Sequence, residues 1–74
     1  MPRLIRLDQT GHTTLAEWTA EDRTSFAVAV SAFQEELSRG YFGIAALPDG
    51  SAHQVRELPV DAPTVILRRP IAGG

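Results

Sequence analysis

Seventy-four residues with 43% hydrophobic and 22% charged content describe one small globular domain and exclude a disordered chain. The net charge of −2 excludes the basic footprint through which phosphate contacts drive nucleic-acid binding, so no nucleic-acid partner is expected. Without cysteine there is no disulfide or thiolate chemistry, and without a long apolar run or a signal-peptide pattern the expected address is the cytoplasm, with no membrane partner.

Arg3 to Asp8 (Arg-Leu-Ile-Arg-Leu-Asp) interleaves polar and apolar side chains and reads as a half-buried strand. Gln9-Thr10-Gly11 supplies a turn, and His12 to Trp18 reads as the second strand of a hairpin. Thr19-Ala20-Glu21-Asp22 resembles an N-cap followed by acidic residues in a first helical turn. Behind it Phe26, Val30, Phe33 and Leu37, with Ala29 alongside, make one apolar stripe. Gln34, Glu35, Glu36 and Arg39 fall off that stripe, and Gly40 is placed to stop the helix, predicted over 20–39.

Tyr41 to Leu47 reads as a third strand, closed by the turn Pro48-Asp49-Gly50-Ser51. Ala52 to Leu58 suits a fourth strand, with Val55 and Leu58 buried, and Pro59 to Pro63 a turn. Thr64 to Arg69 is the last strand, ended by Pro70, which has no N–H to donate. Residues 70–74 then extend about 15 Å at about 3.3 Å per residue. They finish on Gly73-Gly74, a slim carboxylate-bearing end suited to threading into a narrow channel, since glycine lets backbone approach closely. The plain alternative is a frayed terminus.

The order β-β-α-β-β-β, with one apolar stripe to bury, predicts an α+β fold in which a single helix packs across a mixed sheet of four to five strands. Residues 1–69 would form that one domain and residues 70–74 an extended tail. Alternation places either Phe42 and Ile44 or Tyr41 and Gly43 on the face away from the helix, and a one-residue slip exchanges the two sets.

No constellation in the chain marks an enzyme. His12 and His53 stand alone, without the spacing of metal ligands, so no metal or cofactor is expected. Ser25, Ser31, Ser38 and Ser51 lack a nucleophile context. Glu21-Asp22 and Glu35-Glu36 read as helix-start and solvated-face charges. All seven cations are arginine, so no ε-amine is available to carry polymers of the chain.

The hairpin, single helix, third strand, irregular connection, final strand and terminal Gly-Gly resemble the layout of the ubiquitin-like β-grasp proteins. Leu47-Pro48-Asp49-Gly50 is similar to a Leu-x-Asp-Gly turn of ubiquitin, and Val65-Ile66-Leu67-Arg68-Arg69 before Gly73-Gly74 is similar to its arginine-bearing last strand and tail. The chain departs from ubiquitin in a longer predicted helix, in Pro70 within the tail and in its lack of lysine.

The resemblance implies a substrate of enzymes. An ATP-dependent activating enzyme would adenylate the Gly74 carboxylate and pass the acyl group to a target protein, as in bacterial antiphage conjugation, with an isopeptidase to reverse the bond. Gly73 would give clearance, Arg68 and Arg69 would dock on an acidic surface, and Tyr41, Phe42 or Ile44 would supply a partner-binding patch. Two alternatives stand beside this. One is a sulfur carrier bearing a Gly74 thiocarboxylate. The other is a structural or adaptor subunit of a larger assembly, phage particles included, which would tolerate a C-terminal tag.

Overall fold

Six elements follow the expected order in the computed structural model, which describes residues 1–69: β1 (Arg3–Asp8), β2 (Gly11–Glu17), α1 (Arg23–Ser38), β3 (Phe42–Ala46), β4 (Ala52–Val55) and β5 (Thr64–Arg68). The strands form one sheet in the order β2-β1-β5-β3-β4. Only β1 and β5 run parallel; the other neighbouring pairs are antiparallel. One helix covers one face of this open mixed sheet, an α+β architecture of the β-grasp-like kind. Gly73, Gly74 and the expected tail lie outside the described residues.

Registers decide which side chains meet the helix, because directly paired residues share a face. Leu4 pairs with Val65 and Val65 with Ala45. All three are buried and pack with Leu67, Ala29 and Phe33 in the core. The helix stripe therefore does what its spacing predicts, with Phe26, Val30 and Leu37 half-buried against the same cluster. Fully burying a side chain of this size contributes about 1.5–3 kcal/mol.

Trp18 joins the core from the connection after β2 and is completely buried. Its Nε1–H donates to the Val60 carbonyl at 3.0 Å, and its backbone N–H to the Pro2 carbonyl at 3.1 Å. Through its side chain and its backbone together, Trp18 thus pins the 59–63 connection to the start of the chain, with Ala62 and Leu58 buried in the same core. Leu58 is buried as expected, but β4 ends at Val55, so it reaches the core from a connection and not from a strand.

The helix begins later than the 20–39 span suggests. Asp22 is its N-cap, in extended backbone (φ −106°, ψ 95°), and its Oδ1 accepts from the N–H groups of Thr24 (3.0 Å) and Ser25 (3.2 Å). Bonding its own neighbours this way holds Asp22 out of the helix. Glu21 and Asp22 consequently precede the first turn, which contains no acid. Thr19 closes a separate turn, its hydroxyl and carbonyl oxygens both accepting from the Asp22 N–H.

The other end matches expectation. Gly40 has φ +98°, and its N–H donates to the Leu37 carbonyl while that of Tyr41 donates to Glu36, the paired bonds of a Schellman stop.

The side chains of β1 alternate between the two faces, but the faces do not divide apolar from polar. Leu4 faces the helix, Ile5 and Leu7 face away, and Arg6 lies on Leu4's side of the sheet. Against β2 the register shifts between Leu4 and Ile5, a bulge that leaves Leu15 as the extra residue.

Candidate functional site

Glycine at position 43 fixes which face of β3 is free. Its buried position lies against Phe33, whose Cε1 would be only 2.6 Å from an added Cβ. The Phe33 ring occupies the space a side chain would need, so Gly43 must face the helix and Phe42 and Ile44 must face away. The sequence left that choice open; the aromatic in the helix stripe resolves it.

On the open face Ile5 pairs with Ile66 and Ile66 with Ile44, an aliphatic row across the three central strands. Leu7, Phe42 and Ala46 extend it along β1 and β3, all of them half-buried although no helix covers them. Arg68 stands opposite Phe42, so this apolar row ends at a cation where β5 stops. His12, opposite Leu7, borders the row and is exposed, as is His53 on β4.

The end of β5 meets the hairpin tip. Leu7, Asp8, Thr10, Tyr41, Arg68 and Arg69 line a shallow groove there. Asp8 is held by Thr10, whose N–H (2.9 Å) and hydroxyl (2.6 Å) both donate to Oδ1. These bonds, with help from the nearby Arg6 charge, lower its carboxyl below the ordinary aspartate value of 3.8. Asp49 is the matching case in the β3–β4 turn. Ser51 donates to it twice and lowers its carboxyl in the same way.

Between the helix and β1 lies a charged cluster that corrects the reading of Glu35-Glu36 as a solvated pair. Glu35 is exposed, but Glu36 is only 5% exposed. Position 36 follows Phe33 by three residues and so falls on the buried face of α1. Arg6 Nη1 approaches Glu36 Oε2 at 3.6 Å, and Arg39 Nη1 approaches Oε1 at 3.5 Å. The Arg6 contact is Coulombic only, because neither Arg6 Nε nor Glu36 Oε2 makes a hydrogen bond. Arg6 also reaches Asp8 at 3.4 Å, and Arg39 binds Glu35 at 2.8 Å. The sequence signal was available: a charge at stripe spacing on the helix, and an arginine inside an apolar strand.

Of the residues expected to bind a partner, Phe42, Ile44 and Arg68 gather at one face and edge. Tyr41 and Arg69 turn instead toward the end of the helix, with the Arg69 Cζ 5.2 Å from the Tyr41 ring centroid. Gly73 and Gly74 fall outside the described residues. Among the described residues no three His, Asp or Glu side chains gather to hold a metal ion, and no helix is long and apolar enough to cross a membrane. No protein-family model, curated protein or solved structure matches the chain. The fold assignment accordingly rests on strand order, pairing direction and the single helix.

Proposed function

We propose that the chain is a small ubiquitin-like modifier. Its Gly74 carboxylate, native or exposed by processing, is activated by an ATP-dependent enzyme and transferred to an amine of a target protein. The observation that carries this reading is the placement of β5. It is the middle strand of the sheet and ends at the surface with Arg68 beside Phe42. The segment leading to Gly73-Gly74 therefore begins next to the half-buried apolar row of Ile5, Ile44 and Ile66.

That juxtaposition suits a protein handled by others. An apolar patch gives a partner its contact area, the cation at its edge gives orientation, and the chain end carries the chemistry. Adenylation would turn a poor electrophile into an acyl-adenylate, and attack by an amine would expel AMP and form the amide.

Expression of an N-terminally tagged chain in its own cells tests the proposal. Adducts heavier than the free chain are expected for the wild type and none after deletion of Gly74, with the circular-dichroism spectrum of the two proteins the same. Full activity of a chain blocked by a C-terminal tag would favour the adaptor alternative. An intact mass showing one oxygen exchanged for sulfur would favour the sulfur carrier.

A further inference from the structure

Arg68 and Arg69 are adjacent and chemically identical, yet their surroundings differ. Arg68 is the last residue of β5, lies on the open face opposite Phe42, and makes no ion pair among the described residues. Arg69 is met by two groups. Its Nη2–H donates to the Arg39 carbonyl at 3.4 Å, and its Cζ sits 5.2 Å from the Tyr41 ring centroid.

We propose that the two arginines divide the work: Arg69 is an intramolecular anchor fixing the point from which the chain leaves the sheet, and Arg68 is the cation offered to a partner. The anchor goes beyond the modifier reading, and only its consequence for conjugation rests on it.

Both of Arg69's contacts are set by the way the helix ends. Arg39 is the C-cap, so its carbonyl belongs to the unpaired, partly negative end of α1, where a cation is favoured. Tyr41 is placed by the Schellman stop, its N–H bonded to the Glu36 carbonyl at 3.1 Å. The Arg39 side chain is itself held by Glu35 and Glu36. A planar guanidinium can stack on the ring and donate to the carbonyl together, whereas a lysine ammonium is a compact charge without that flat face. Tyr41 and Arg39 are therefore positioning residues for Arg69, and the Gly40 turn sets where Arg69 is held.

The test is side-chain NMR on the full, isotopically labelled chain. In the wild type, Arg69 δ-protons are expected to be shifted upfield by the tyrosine ring and its Nε–H to be more restrained than that of Arg68. Tyr41→Phe should keep both signatures. Tyr41→Leu should abolish the upfield shift, loosen the Arg69 Nε–H and leave Arg68 unchanged, with the amide spectrum of β1, β3 and β5 reporting that the sheet persists. Equal mobility of the two guanidinium groups in the wild type overturns the anchor, a comparison that needs no variant to fold. So does an Arg69 signal indifferent to Tyr41→Leu.

Where adducts form, Tyr41→Leu is expected to lower their yield about two- to fivefold, the size of one exposed cation–π contact, with rescue by Tyr41→Phe. A wild type that forms none counts against the modifier proposal alone, since the NMR comparison decides the anchor by itself.

Discussion

Two positions concentrate the constraints of this small core. Gly43 faces Phe33 so closely that even a methyl group must displace the ring or the strand. Gly43→Ala is expected to cost about 1–3 kcal/mol, as overpacking does, read from the urea midpoint at unchanged slope. Phe33→Leu combined with it should lose less than the sum of the two single changes, because the smaller side chain vacates the contested space. An additive result would show that the clash does not set the register.

Glu36 is the second such position. Removing it leaves Arg6 and Arg39 beside a carboxylate-sized gap, and Glu36→Ala should cost toward the lower end of the about 3–5 kcal/mol seen when one partner of a buried pair is lost. The lower end applies because the Arg6 side chain is still 26% exposed and meets Glu36 without a hydrogen bond. Replacing the pair with Arg6→Met and Glu36→Leu should be neutral or stabilising by about 1–4 kcal/mol. Calorimetry of the two variants beside the wild type separates the outcomes. A double variant less stable than Glu36→Ala would mean that the ion pair itself holds the helix to β1.

Elements were legible in proportion to how far local chemistry agreed with tertiary packing. β1, the helix stripe, the Gly40 stop and the Asp49-Gly50 turn could all be placed from spacing and residue type. The helix start could not, because Asp22 bonds the N–H groups ahead of it and claims the cap from Thr19. Glu36 carried a legible signal in its i+3 spacing from Phe33, but its charge pointed to solvent and outweighed that spacing. The Phe42/Ile44 face became fixed only when Gly43 met Phe33, a contact between two elements.

The two Asp-x-Thr/Ser turns give a test in pH. Both Asp8 and Asp49 are lowered from 3.8, chiefly by hydroxyl and N–H donation from Thr10 and Ser51. A carboxyl lowered on folding stabilises the native state above its unfolded value of 3.8 and loses that contribution as pH falls through the lower folded value. Carboxyl-carbon NMR titration should therefore find both below 3.8. Thr10→Val should return Asp8 toward 3.8 while leaving Asp49 unmoved. Unshifted titration of Asp8 and Asp49 in the wild type would contradict the turn geometry.

For the whole molecule, strand order and the single helix fix a β-grasp-like body whose last strand is its middle one. The architecture was legible because one amphipathic helix among five strands leaves few uncrossed topologies. The candidate site was legible in part: the sheet brings Phe42, Ile44 and Arg68 together, and Ile5 and Ile66 were missed because they belong to the patch only through cross-strand pairing. The chemistry proposed for Gly74 would depend on a partner enzyme and could be read only as an expectation from the terminal residues.

Its most direct test is mass spectrometry of tryptic peptides from the cells that make this chain. Arg69–Pro70 resists trypsin while Arg68–Arg69 is cut, so each acceptor amine should carry the six-residue remnant Arg69-Pro70-Ile71-Ala72-Gly73-Gly74. Remnant-bearing lysines on other proteins, lost when Gly74 is deleted, are the predicted result. Free carboxyl-terminal peptide at full abundance, with no remnant on any amine while the protein performs its cellular role, would contradict the account.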